Sequence, residues 1–134
     1  MVTYIWRGRF DNAGVTKLHA DAFGHGLAAH DWWDQVSRHS LGWVCARDRG
    51  SLVGYVNVPW DGASHAFILD TVVAPEVQRQ GVGTGLVAVA ASQARMAGCD
   101  WLHVDFEDHL SRFYFDSCGF ATTSAGLIDL TAGR

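Results

Sequence analysis

The sequence predicts an α+β fold: a mixed, mostly antiparallel sheet flanked by helices. Three observations predict it. Two β-rich runs, Leu41 to Arg47 and Leu52 to Val58, flank Asp48-Arg49-Gly50, which reads as a hairpin turn. Helical spacing precedes these runs, and a longer helical pattern begins at about Val82. Only that longer helix offers a β-α-β crossover, so one strand pair is parallel and the others are antiparallel. A chain of 134 residues, 49% apolar and 18% charged, suits one domain spanning 1–134 around a single core.

Taken in order, Val2 to Arg7 forms a first strand. Val15, Leu18, Ala22 and Phe23 then carry helical spacing from about Asn12 to Phe23. Gly24 and Gly26 break it, and Asp31 caps a second short helix holding Trp32, Trp33 and Val36. After the hairpin, Asp61-Gly62 turns the chain into a strand from about His65 to Val73. Val82, Leu86, Val89, Ala90, Gln93 and Ala97 fall largely on one face of the long helix, which Gly98 ends. Trp101 to Phe106 is expected as a strand and Leu110 to Ser117 as a short helix. Phe120 to Thr123 and Gly126 to Leu130 are expected as closing strands.

Composition removes several functional classes. The net charge is −4 and no basic run is present, which argues against nucleic acid as a partner. The acidic balance is compatible with a cationic or amine substrate. No apolar run approaches the roughly 20 residues of a membrane span, and Met-Val-Thr-Tyr-Ile-Trp-Arg lacks the regions of a signal peptide. Cys45, Cys99 and Cys118 are odd in number and widely spaced, as reduced thiols of a cytoplasmic protein are.

Between Val73 and Thr84 the chain reads Val-Ala-Pro-Glu-Val-Gln-Arg-Gln-Gly-Val-Gly-Thr. Pro75 stops the apolar run Phe67 to Val73, and a polar loop then delivers Gly81 and Gly83 to a helix start. Glycine lets a backbone come close to a ligand. A helix start offers unpaired N–H groups and a partial positive charge. Together they make a site for a phosphate or pyrophosphate such as a nucleotide cofactor carries; the competing reading is a tight strand-to-helix turn. A Walker loop is excluded, because no Lys-Ser or Lys-Thr follows the glycines. Gly83-Thr84-Gly85-Leu86-Val87-Ala88 matches G-x-G-x-x-A, with Asp105 about 20 residues on, where a Rossmann fold places its ribose-binding acid. Against that reading, a loop containing Pro75 separates strand from glycines, and too little chain follows Asp105 for more parallel strands.

Gln78-Arg79-Gln80-Gly81-Val82-Gly83 resembles the Q/R-x-x-G-x-G/A signature of the GNAT acetyltransferase superfamily. Val73-x-Pro75 before it, and Phe113-Tyr114 with Gly119-Phe120 after it, resemble that family's flanking elements. The element order agrees from about Val2 to Leu130. The resemblance implies acetyl-CoA as cosubstrate. It implies that backbone N–H groups of Gln78, Arg79, Gln80, Gly81, Val82, Gly83 and Thr84 hold the pyrophosphate. It implies too that the pantetheine arm pairs like an extra strand with the backbone near Val72 and Val73.

Acetyl transfer to an amine requires an acceptor freed of its proton, stabilisation of the thioester oxygen, and a proton for the leaving thiolate. In the resembling family a tyrosine often supplies that proton, in the pattern Phe-Tyr, three residues, Gly-Phe. Here Phe115, Asp116, Ser117 and Cys118 separate Phe113-Tyr114 from Gly119-Phe120, one residue more. Counted from Gly119 the slot holds Phe115; counted from the Phe-Tyr pair it holds Tyr114. One helical position turns a side chain by about 100°, so the two registers differ in chemistry. Tyr114 is the favoured acid, with core packing as the competing role. Asp70, inside an apolar strand near the expected acceptor, is the candidate base; a backbone-bonding carboxylate and a water-mediated route compete with it.

His103, Asp105, Glu107 and His109 alternate and would share one face of a straight strand. The strand is expected to end near Phe106, so no metal site is assigned, and His103 is placed near the acceptor. Trp32, Trp33 and Trp60 lie in segments that, by the resemblance, cover the acceptor pocket; core packing is the alternative. Cys118 reads as packing, since no activating partner is evident. The expected activity is N-acetylation of a small-molecule or peptide amine by direct attack on acetyl-CoA, without an acyl-enzyme. A non-catalytic CoA-binding sensor or subunit is the alternative. The oligomeric state is left open, a homodimer included.

Overall fold

The computed structural model describes residues 1–24, 26 and 28–134. Strand β1 (Val2–Trp6) runs antiparallel to β2 (Ser40–Asp48), with Val2 opposite Asp48 and Trp6 opposite Val44. β2 turns into β3 (Ser51–Pro59) through Arg49 and Gly50, at φ of 51° and 84°. Two successive left-handed residues match the twist of the flanking strands, which is why this turn closes a hairpin. Arg47 Nη1 donates to Gly50 O at 2.9 Å and fastens it.

The predicted strand His65 to Val73 divides at Ile68. Its first part, β4 (His65–Phe67), pairs in parallel with β6 (Trp101–His103), and its second, β5 (Leu69–Val73), pairs antiparallel with β3. The division is visible in the backbone. Asp70 sits at φ 56°, and the β3–β5 register slips between Tyr55 and Asn57, so the strand bulges there and turns its second half away. The larger sheet has the order β1-β2-β3-β5, antiparallel throughout. That order excludes the Rossmann alternative, which needs parallel neighbours.

Helix α1 (Asn12–Phe23) ends at Gly24, which is left-handed at φ 68° and donates its N–H to Ala20 O. Asp31 caps α2 (Trp32–His39) as expected, its carboxylate accepting from the Asp34 N–H at 3.0 Å. The long helix α3 (Val82–Met96) packs on β1, β2 and β3. Gly54 of β3 faces α3, where a Cβ would stand 3.1 Å from Leu86 and Val82 methyl groups. Its neighbour Tyr55 faces the other way, against Phe10 and Trp32 on the α1–α2 side. The sheet is therefore covered on both faces, and the middles of β2 and β3 are buried. Among the described residues no helix is long and apolar enough to cross a membrane.

Three expectations for the last third need correction. β6 stops at His103 rather than Phe106. The expected helix resolves into a 3-10 turn, Asp108–Leu110, and a π-helical turn, Arg112–Ser117. Phe120 to Thr123 and Gly126 to Leu130 form no strands; residues 121–134 are exposed. Among the described residues the 121–130 backbone meets no ladder partner, and a strand without one is not formed.

Candidate active site

Because β4 joins β6 while β5 joins β3, β5 and the chain after β6 part company. They leave a cleft of about 1090 Å³ walled by β5, the loop into α3, and residues between Asp105 and Tyr114.

The loop begins as a 3-10 turn, Pro75–Val77. The N–H groups of Gln78 and Gln80 donate to Pro75 O and Val77 O, each at 3.3 Å, and that of Gly85 donates to Gly81 O at 3.0 Å. Among the described residues, the N–H groups of Arg79, Gly81, Val82, Gly83 and Thr84 find no acceptor in the protein. Arg79 and Gly81 are left-handed, at φ 68° and 78°. This narrows the sequence expectation: the Gln78 and Gln80 amides are already engaged, and the free donors cluster at the helix start. Only Gly81 is required by backbone conformation, since its Cβ position is open. Gly83 and Gly85 have packing reasons: a Cβ would meet Phe113 at 3.0 Å and the Tyr4 ring at 2.3 Å respectively.

Beside the loop runs the free edge of β5. Ala74 donates its N–H to Val53 O at 2.8 Å, so by alternation Val72 also turns its backbone toward β3, opposite Tyr55. The outward groups are those of Thr71 and Val73, and Gln78 Nε2 reaches Val73 O at 3.4 Å. Of the two expected edge residues, Val73 is presented; Val72 is buried and faces the sheet. Thr71 takes its place, an exchange that alternation back from Val73 could have shown.

Two chemically distinct groups line the same cleft. Asp70, presented by the bulge, accepts or shares a hydrogen bond with His19 Nε2 at 3.0 Å, across 51 residues of sequence. The His19 ring lies against Phe23 and Trp32, with centroids 4.5 and 5.0 Å away. Tyr114 is buried, its ring stacked on Phe106 at 4.6 Å. Burial pushes the Tyr114 phenol above its usual range, and the neighbouring Thr71 hydroxyl tempers the rise. No hydrogen bond of ordinary length joins the pair: Thr71 Oγ1 is buried without a partner among the described residues.

The model of the acetyltransferase (GNAT) family matches residues 11–120. The chain belongs to the GNAT family and is an acyltransferase. Solved GNAT-fold structures agree. An acetyltransferase from Trypanosoma brucei superposes with a TM-score of 0.82 at 18% identity, covering 97% of this chain and 100% of that one. A GNAT family acetyltransferase from Streptococcus pneumoniae gives 0.74 at 23%, over 97% and 99%. AAC(6')-Iy, in complex with the bisubstrate analog CoA-S-monomethyl-acetylneamine, gives 0.72 at 16%, over 96% and 97%. At these identities the likeness is one of fold. A comparison with curated proteins finds no match.

The extra residue between Phe113-Tyr114 and Gly119-Phe120 falls within the π-helical turn. Cys118 donates its N–H to Phe113 O, five residues back, and Phe120 donates to Tyr114 O, both at 3.0 Å. A π turn absorbs one extra residue without rotating what lies on either side. Tyr114 stands in the cleft wall, and Phe115 packs edge-on to Phe106.

The other expected acceptor residues are placed elsewhere. Trp33 packs between Phe10 and Trp43, with centroids 5.1 and 5.3 Å away, and serves the core. Trp32 donates Nε1–H to Thr16 Oγ1 at 3.0 Å and packs on the His19 ring without lining the cleft. Trp60 bridges Ala66 and does not line the cleft. His103 bonds His65 at 2.7 Å and stacks on Phe67 outside the main cleft. Asp105, Glu107 and His109 do line it. Sequence reading missed His19 and Thr71. His19 lies one helical turn from Val15 and from Phe23, an apolar stripe in which an imidazole is the odd member.

Behind Asp70, burial sets a stability limit at high pH. Cys45 is pushed from 9.0 up to about 11 by burial. Tyr55, fully buried with its hydroxyl unpartnered among the described residues, is raised by burial and then by the charges of Asp70 and Cys45. Both groups are neutral in the fold, so their contribution is complete below the unfolded values of 9.0 and 10.0 and is lost as pH rises. Tm should hold to pH 9 and fall from there to 11 and beyond; burial also raises the Cys99 and Cys118 thiols, so Cys45→Ala should make the fall above pH 9 shallower rather than remove it. A fall as steep in that variant as in the wild type would exclude the Cys45 thiol as a main contributor.

Proposed function

We propose that this protein is an acetyl-CoA-dependent N-acetyltransferase of cationic small-molecule or peptide amines, carried by a single domain spanning 1–134. The observation that carries the reading is one cleft that presents two sets of backbone hydrogen-bonding groups. The N–H groups of Arg79, Gly81, Val82, Gly83 and Thr84 suit a pyrophosphate at the helix start. The outward backbone of Thr71 and Val73 suits the amides of an extended pantetheine arm. Acetyl-CoA supplies an activated thioester.

The residues divide the remaining work. Asp70, Asp105 and Glu107 line the cleft and favour a cationic acceptor. Asp70, held by His19, takes the proton that makes the amine nucleophilic. The C–N bond then forms as the C–S bond breaks, and the Tyr114 hydroxyl gives its proton to the departing sulfur. At neutral pH that hydroxyl is protonated, as its raised pKa requires. His19 is a positioning residue and the Asp70 carboxylate a catalytic one.

The test is turnover of acetyl-CoA on a panel of primary amines, followed with a thiol reagent. Acceptor-dependent thiol release is expected, strongest with cationic amines. Tight CoA binding with no release on any amine would instead make the chain a CoA-binding sensor or subunit.

A further inference from the structure

Outside the cleft, β4 and β6 bring two imidazoles together. Their parallel register sets His65 beside Trp101 and Phe67 beside His103, and alternation puts these four side chains on one face, opposite the fully buried Ala66. His65 is half-buried and His103 exposed, so solvent reaches the pair. Nδ1 of His65 and Nε2 of His103 stand 2.7 Å apart, a hydrogen bond in which one ring donates and the other accepts. Neither ring lines the cleft, so the reaction does not account for the contact.

The surroundings hold both residues in place. The Asp61 carboxylate accepts the His65 N–H at 3.1 Å, and Asp61 donates its own N–H to His65 O at 3.0 Å. Backbone N–H groups of His65 and Ala63 hold the Asp61 carboxyl below its usual range, so a negative charge stands beside the pair. On the other strand, His103 O accepts from the Ile68 N–H at 2.8 Å. Phe67 stacks on the His103 ring, with centroids 4.8 Å and planes 20° apart.

The separation of the two nitrogens is informative. Imidazole nitrogens bind divalent transition metals at about 2.0–2.1 Å. At that length two ligands at right angles stand about 2.9 Å apart, and two in a tetrahedron about 3.3 Å apart. The observed 2.7 Å is close to the first spacing and well short of the second. Right-angled sites of nitrogen and oxygen ligands select Cu²⁺ and Ni²⁺. Among the described residues no group of three or more His, Cys, Asp or Glu side chains could hold a metal ion. The pair therefore supplies two ligands, and water the others.

We propose that His65 and His103 form a two-imidazole site for a divalent cation of right-angled geometry, Cu²⁺ or Ni²⁺. Binding exchanges the shared proton for the metal. The donor ring moves its N–H to its other nitrogen, and both rings turn their lone pairs out of the line between them to meet the cation. A cation there ties β4 to β6, the strand pair whose departure from β5 opens the cleft. The site is independent of acetyl transfer, and CoA titration reads the cleft separately.

Calorimetric titration of Ni²⁺ into the untagged chain tests this, Ni²⁺ being preferred to Cu²⁺ because it spares the three free thiols. One Ni²⁺ per chain is expected. His65→Ala and His103→Ala should each weaken it by more than about tenfold, the least that loss of a ligand's outer partner costs. His39→Ala, at an exposed position of α2, should leave it unchanged. A second measurement needs no variant. In the wild type, paramagnetic Ni²⁺ should broaden the ring proton signals of His65, His103 and Phe67 first, while those of Thr3 and Ile5, at the far edge of the larger sheet, stay sharp. Absence of Ni²⁺ binding leaves the pair a hydrogen bond and overturns the proposal. So does binding that survives both alanine substitutions, or broadening centred on another histidine.

Discussion

Replacing Tyr114 by Phe is expected to slow acetyl transfer by about 10²- to 10⁴-fold, the usual worth of a positioned general acid. CoA affinity should stay within about twofold, because no pyrophosphate or pantetheine donor is touched. The substitution is clean for a structural reason. The Tyr114 ring stacks on Phe106 and meets Phe113 and Phe120 edge-on, contacts that a phenylalanine keeps. Among the described residues no hydrogen bond of ordinary length joins its hydroxyl to the neighbouring Thr71, so the fold loses little when it goes. Steady-state rates with a saturating amine check the prediction. Wild-type kcat in the variant would return Tyr114 to core packing and leave the thiolate proton to water.

The second large effect is expected at the head of α3. Gly81→Val places a β-branched residue at φ 78°, where such residues are genuine outliers. Nothing lies within 4 Å of the new Cβ, so the penalty is one of backbone conformation rather than collision. Strain of about 1–3 kcal/mol, relieved by turning the loop out of its binding shape, weakens CoA by about 10- to 100-fold. Gly62→Val is the matching control: Gly62 has φ 80° and open space around it, but it lies in the turn before β4, outside the cleft. It should cost similar stability and leave CoA affinity unchanged. Calorimetric titration of both variants separates a local effect on the loop from general weakening.

How much of this was legible in the sequence depended on whether the cause was local. The α1 stripe, the Asp31 cap and the Arg49-Gly50 turn are fixed by neighbours within a few residues, and each appears where the pattern put it. The long helix and its parallel crossover follow from connectivity. Asp70 is different. Its left-handed backbone follows from competition between β3 and β6 for the two halves of one strand, and no local residue announces that. The same holds for its partner His19, set 51 positions away by the packing of α1 on β5. The extra residue after Tyr114 was visible, but whether it would rotate the tyrosine or be absorbed as a π turn was not. The closing strands failed for the opposite reason: Leu127 and Ile128 have strand character but no partner within the described chain.

The central claim is that unpaired main-chain amides at the start of α3 hold the diphosphate of CoA. A crystal structure of the CoA complex tests it most directly. Diphosphate oxygens should lie about 3 Å from the amide nitrogens between Gly81 and Thr84, with the pantetheine arm beside Thr71 and Val73. CoA bound elsewhere, with those amides left to solvent or to the protein's own side chains, would contradict the account.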